Sequence, residues 1–163
     1  MVAIGVDIGN VIIGGDTDNN AMFSDQYLMA PELPGAIETI AWLNQRSPFR
    51  GRVFLVSKCG ENVQRKTWEW LAGRKFYEVT GVAEANVRFC EHRNEKAPIA
   101  KQLALTHFVD DRLEILKYLD GICASRFLFR GKAKEIKEHL DALRTVTPVE
   151  SWKELRSLLG SVR

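Results

Sequence analysis

The chain has 163 residues, with 23 Lys and Arg against 21 Asp and Glu and a formal charge of +2. Hydrophobic residues make up 45% and charged residues 27%, an ordinary globular composition that excludes a disordered chain, a collagen-like fibre and a disulfide scaffold. So small a charge points to neither nucleic acid nor a membrane surface, and a local basic patch leaves nucleic acid open as a partner.

The length fits a single domain over residues 1–163. Cys59, Cys90 and Cys123 are widely spaced, with no CxxC or Cys/His cluster, so a zinc site is not expected and the thiols fit a reducing compartment. The opening MVAIGVDIGN carries no basic stretch ahead of an apolar run. No apolar run approaches the roughly 20 residues of a membrane helix. We expect a cytoplasmic protein with no membrane partner.

In chain order, Ala3 to Val6 is a first apolar run, ending at Asp7. The polar GGDTDNN stretch, Gly14 to Asn20, opens an excursion over 14–33 before Pro34-Gly35 begins a helix with Ile37, Ile40, Ala41 and Leu43 at helical spacing. Arg52 to Ser57 reads as a second strand, and Glu61 to Ala72 as a helix stopped by Gly73. Val87 to Cys90 is a third strand. Asn94 is placed to cap a helix that carries Pro98 in its first turn, where the missing N–H costs little. Thr106 to Val109 is a fourth strand ending in Asp110-Asp111, Leu113 to Leu119 a helix, and Ala124 to Phe129 a fifth strand. Ala133, Ile136, Leu140 and Leu143 mark one further helix. Ser151 and Glu154 form a capping box for the last one, with Trp152, Leu155 and Leu159 inward. Strands alternating with helices predict a three-layer α/β fold, a doubly wound, Rossmann-like parallel sheet of about five strands.

Ligands of such sheets gather at the carboxyl ends of the strands. Those ends carry Asp7-Ile8-Gly9-Asn10, Ser57-Lys58 and Asp110-Asp111. Each alone reads as a turn former or a helix-start residue. Jointly they bring three carboxylates, a hydroxyl and a lysine towards one crevice. Crowded carboxylates raise each other's pKa, and a hard divalent cation such as Mg²⁺ relieves that conflict through oxygen ligands.

The order VDIGNV, LVSK, a lysine, then HFVDD resembles the haloacid dehalogenase (HAD) superfamily. LPGAIETIAWLN and the terminal SWKELRSLL resemble that family's first helix after the excursion and its closing helix, so the resemblance spans nearly the whole chain. It implies an HAD-like phosphatase, a hydrolase acting on a phosphate ester or anhydride. Asp7 would be the nucleophile that forms an aspartyl-phosphate. Asp7, the Gly9 carbonyl and Asp111 would hold Mg²⁺, with Asp110 in the first or second shell. Gly9, Asn10, Ser57, the Lys58 backbone N–H and a lysine would meet the phosphoryl group. That lysine is Lys96, fourteen residues before Asp110, in preference to Lys101 one turn further on.

The resemblance departs at Gly9, where phosphatases of the family read a second Asp that protonates the leaving oxygen. A general acid contributes roughly 10²–10⁴-fold in rate. Asp16, Asp18 or Asp25 of the excursion, or a water, could supply the proton; an activated substrate needs little help; or the chain binds a phosphorylated ligand, as a regulatory domain, with little turnover. Carbon–halogen cleavage lacks an apolar-rich cap here. A signalling receiver domain places its acidic pair after the first strand, not the fourth. Fifty residues separate Asp7 from Ser57 and thirty-nine separate Ser57 from Lys96, too few for a full cap domain. The substrate is then a macromolecule, or a small phosphate ester covered only by the 14–33 insert. Within that insert Met22, Phe23, Tyr27, Leu28 and Met29 read either as an apolar flap or as packing.

Overall fold

The apolar runs become the strands of one parallel sheet. The structure, a computed structural model, describes residues 1–14 and 21–163. Its strands are β1 (Ile4–Val6), β2 (Val53–Lys58), β3 (Val87–Cys90), β4 (His107–Asp110), β5 (Ser125–Phe129) and β6 (Thr147–Val149), in the order β3-β2-β1-β4-β5-β6. β1 is central: Ile4 pairs with Val53 on one side and His107 on the other, and Val6 with Leu55 and Val109. Residue alternation sorts the side chains onto two faces. Ile4, Val6, Leu55, Val109, Phe127 and Phe129 enter one core, and Val56, Phe108 and Leu128 the other.

Helices α1 (Ala36–Gln45), α2 (Glu61–Gly73), α3 (Phe76–Thr80) and α8 (Trp152–Leu159) bring Ile40, Leu43, Trp70, Phe76 and Trp152 to the first face. Helices α4 (Lys96–Gln102), α5 (Leu113–Tyr118), α6 (Ala133–Glu138) and α7 (Leu140–Leu143) cover the second. Gly5 lets that layer close on β1, since a Cβ there would meet the Phe108 ring at 2.5 Å and Leu105 at 2.7 Å. Trp152 is 1% exposed and its indole N–H donates to the Val11 carbonyl at 2.6 Å. That bond ties the last helix to the loop after β1. Leaving the buried indole unpaired would cost about 1–3 kcal/mol.

The sheet has six strands where about five were expected, and two local expectations are corrected. β6 is only three residues long and holds Pro148, which the missing N–H confines to an edge, so it has no strand signature. Asn94 is not a cap: it lies inside a 3₁₀ turn at Arg93–Glu95, and the helix starts after Glu95. The helix expected from Ala133 to Leu143 breaks at His139, whose φ of −131° ends α6 and opens α7. The Ser151 cap is present: its hydroxyl accepts from the Glu154 N–H at 3.1 Å, while Glu154 reaches back to the Glu150 N–H at 2.9 Å. No helix among the described residues is long and apolar enough to cross a membrane.

Candidate active site

The chain winds from β1 outward to β3, then returns past β1 to begin β4. At such a reversal the flanking connections leave in opposite directions and open a crevice above the strand ends. Here it measures about 240 Å³ and is lined by Asp7, Gly9, Ser57, Lys58, Lys96 and Asp111, among others. Asp7 continues the β1 ladder, donating its N–H to the Val109 carbonyl at 2.9 Å. The chain then folds tightly, with the N–H groups of Ile12 and Ile13 both bonded to the Ile8 carbonyl. Asn10 takes a left-handed conformation, φ 61°, which Asn tolerates better than most residues. From there its side-chain amide donates to Asp111 Oδ2 at 3.3 Å.

Lys96, the first residue of α4, is 1% exposed. Its Nζ lies 2.9 Å from Asp7 Oδ1 and 2.8 Å from Asp110 Oδ2. Lys101 is solvent-exposed on the same helix. Asp110 is fully buried, and its second oxygen, Oδ1, accepts the Arg112 N–H at 2.9 Å. Both Asp110 oxygens are therefore engaged by the protein itself. Carboxylate oxygens of Asp7, Asp110 and Asp111 lie within 4.8 Å of one another.

Three carboxylates against one ammonium leave the cluster short of positive charge. Burial raises the Asp111 carboxyl, and the neighbouring Asp7 and Asp110 push it further, to about 8. Burial likewise raises Asp110, against the opposing pull of Lys96. Burial disfavours the charged lysine too, but Asp110 and Asp7 overcome that and hold the Lys96 ammonium above the usual lysine range. Carboxylates forced into proton sharing fit a cation better than they fit each other. An all-oxygen donor set matches Mg²⁺ and other hard divalent ions, so Asp7, Asp111 and the exposed Gly9 backbone beside them could hold such an ion, with Asp110 behind.

Ser57 is 8% exposed at the carboxyl end of β2 and Lys58 is exposed on the crevice rim. Burial pushes the Cys59 thiol up to about 11, against an opposing pull from Ser57, which keeps it a thiol rather than a nucleophilic thiolate. Gly9 faces open space: a Cβ built there meets nothing within 4 Å among the described residues.

The insert divides. Asp16 and Asp18 lie outside the described residues. Asp25 is exposed and is not among the residues lining the crevice. Met22 packs inward at 7% exposure, whereas Phe23, Leu28 and Met29 are exposed, and Phe23 stands at the crevice. α2 fastens this stretch. Lys66 donates to the Ser24 carbonyl at 2.9 Å, the Tyr27 hydroxyl donates to Glu69, and Trp70 and Arg74 both donate to the Ala30 carbonyl.

Sequence reasoning missed three crevice residues, Arg93, Arg112 and Ile115, while Phe23 was among the residues read as an apolar flap or as packing. Arg112 had a signal, since it directly follows the acidic pair. Arg93 lies one helical turn before Lys96, a placement that only the 3₁₀ entry to α4 makes meaningful.

No family model matches the sequence, and no curated relative was found. Solved structures do match over nearly the whole chain. The D,D-heptose 1,7-bisphosphate phosphatase from B. bronchiseptica, in complex with magnesium and phosphate, is 17% identical with a TM-score of 0.71, over 98% of each chain. A haloacid dehalogenase-like hydrolase from Burkholderia xenovorans is 15% identical with a TM-score of 0.67, over 96% of this chain and 95% of its own. The D,D-heptose 1,7-bisphosphate phosphatase from Burkholderia thailandensis is 14% identical with a TM-score of 0.63, over 99% of this chain and all of its own. At these identities the likeness is one of fold: the chain has the HAD-like α/β fold, with no large cap among the described residues.

Proposed function

We propose that the chain is a magnesium-dependent phosphohydrolase that works through an aspartyl-phosphate on Asp7. The observation that carries this reading is the buried cluster of Asp7, Asp110 and Asp111 bridged by Lys96 at the strand ends. The fold is shared with phosphatases, one of them seen with magnesium and phosphate.

In the proposed reaction the Asp7 carboxylate attacks phosphorus, an Asp7 O–P bond forms, and the bond to the leaving oxygen breaks. Water then attacks the same phosphorus, the Asp7 O–P bond breaks, and free phosphate leaves the carboxylate restored. A carboxylate approaching a phosphate dianion meets like-charge repulsion. Lys96 offsets part of it and holds Asp7 in one orientation, as fixed donors in a closed site do. Asp110 is a positioning residue, because its two oxygens hold Lys96 and the turn at Arg112. The Ser57 hydroxyl and the Lys58 backbone N–H are the donors for the phosphoryl oxygens. Asp7, Asp111 and the Gly9 carbonyl would hold Mg²⁺, which would supply further positive charge against the phosphate.

The test is release of inorganic phosphate from an aryl phosphate with and without Mg²⁺. Asp7→Asn is expected to lower it at least about 10³-fold, as loss of a nucleophile does, with the circular-dichroism spectrum unchanged. Activity that survives the substitution rejects Asp7. A second reading, a phosphate-binding or regulatory domain with little turnover, is favoured by the bare Gly9 position. It predicts no magnesium-dependent release while tungstate, a phosphate mimic, still binds.

A further inference from the structure

Phe23 lines the catalytic crevice while 66% exposed. A large apolar side chain in water gains by turning back onto the body of the protein, but this one is pinned from both sides. Met22 before it is buried in the core. The Ser24 carbonyl after it accepts from Lys66, itself buried, at 2.9 Å. Further on, the Tyr27 hydroxyl donates to Glu69, and Trp70 and Arg74 hold the Ala30 carbonyl. The stretch that carries the ring is thus fastened to α2 along its length. A ring already fixed in place loses little further freedom when a ligand covers it, so the apolar gain is kept as affinity.

The two lips of the crevice differ. Phe23 belongs to a 3₁₀ turn at Ala21–Phe23 that packs against α2. The other lip is Arg93, Arg112 and Ile115, carried by α5 and by the turns that enter α4 and α5. Arg93 is committed to Glu114 at 2.6 Å. Arg112 uses its backbone N–H on Asp110, and its guanidinium makes no ion pair among the described residues. Beyond these arginines lies a second cavity of about 210 Å³ whose described lining side chains are all ionisable, so an apolar group finds its contact on the Phe23 side. An aliphatic group between the lips would strip water from Arg112 and return nothing. An aromatic ring offers the guanidinium a π face and the Phe23 ring an apolar one.

We propose that the crevice takes phosphate esters whose leaving group carries an aromatic ring, and that Phe23 sets this specificity by packing on that ring. This rests on the phosphohydrolase reading. The phosphate sits over Asp7, and the ring lies against Phe23 with Arg112 on the other lip. Recognition of the leaving group then comes from a fixed wall supplied by the insert.

The test compares kcat/KM for 3-phenylpropyl phosphate with that for propyl phosphate. Their leaving alcohols differ little in acidity, so the ratio reads contact with the ring and not the ease of bond cleavage. The wild-type ratio is expected to be at least about tenfold, the lower end of what one apolar contact contributes to specificity. In Phe23→Ala it falls to near one, and in Phe23→Tyr, which keeps a ring, it is retained. Met29→Ala, an exposed position on the same insert that does not line the crevice, leaves it unchanged. The cyclohexyl analogue of the phenyl ester, equally large and without a π face, is expected to be about threefold poorer than the phenyl ester. A wild-type ratio near one, a ratio that persists in Phe23→Ala, or equal kcat/KM for the phenyl and cyclohexyl esters overturns the proposal. If no ester releases phosphate, calorimetric titration in Mg²⁺ with the two corresponding phosphonates, 3-phenylpropyl and propyl, decides. Tighter binding of the phenyl compound that is lost in Phe23→Ala keeps the ring contact and rejects the reaction; equal binding, or none, rejects both.

Discussion

Lys96 and Arg126 are both buried cations, 1% and 6% exposed, one on α4 and the other on β5, and their surroundings differ. The Arg126 guanidinium, from β5, donates to the carbonyls of Leu116 at 3.0 Å and Thr145 at 3.3 Å. Its one carboxylate partner, Asp120 at 2.6 Å, is mostly exposed to water. Around Arg126 the partners are neutral dipoles and one solvated acid. Lys96 instead faces two carboxylates sealed from solvent, with a third beside them. Arg126 fastens α5 and the turn before β6 to the sheet. The Lys96 cluster is incomplete, and the missing element is positive charge. What separates the two buried cations is the sign left over around them.

That contrast can be pressed from either side. The largest expected effect comes from adding a fourth carboxylate where the crevice has room. Gly9→Asp fits without a steric neighbour and places an acid beside the leaving group. Phosphate release from an unactivated alkyl phosphate is expected to rise by roughly 10²–10⁴-fold. An unchanged or lower rate in the steady-state assay would mean that the proton already comes from elsewhere.

Removing each cation comes next. Lys96→Met strands two buried carboxylates and is expected to cost about 3–5 kcal/mol in urea denaturation at pH 8, part of it recovered by Mg²⁺. Arg126→Met orphans the Leu116 carbonyl and costs about 1–3 kcal/mol, with no recovery in Mg²⁺. Equal magnesium responses in the two variants would erase the distinction between them.

The smallest effect is in pH. The folded-state carboxyl of Asp111 is raised to about 8, chiefly by burial and by its acidic neighbours. A group raised on folding contributes stability that is complete below its ordinary carboxylate range and is lost as pH climbs through the raised value. The metal-free protein should therefore lose this contribution between about pH 4 and pH 8. Mg²⁺ opposes the same repulsion, so the rise in melting temperature on adding it should be greater at pH 8 than at pH 6. A shift that is flat across that range would show that the cluster does not take the ion.

The strand-end acids were readable because each closes an apolar run, and apolar runs become central strands whatever surrounds them. The helix carrying Ile37, Ile40 and Leu43 and the Ser151 cap were readable for the same local reason: spacing and a hydroxyl three residues ahead of a glutamate. β6 was not, since three residues with a proline have no periodicity to detect. Nor was the role of Lys66 on α2, which is 6% exposed and holds the Ser24 carbonyl. Nothing in residues 61–72 announces a partner more than forty positions earlier.

From the sequence alone came the alternation of strands and helices, the acidic strand ends and the absence of residues for a large cap. These depend on neighbours a few positions apart, where sterics and hydrophobic period act. Tertiary structure alone decided that Asp110 spends both oxygens on Lys96 and Arg112, that Asn10 turns to meet Asp111, and that Arg93 and Arg112 divide one cavity from another. Apart from that of Asp110 with Arg112, two positions on, those contacts join residues from different connections of the sheet. Which of them meet depends on the order in which the strands pair, and no local pattern encodes that order.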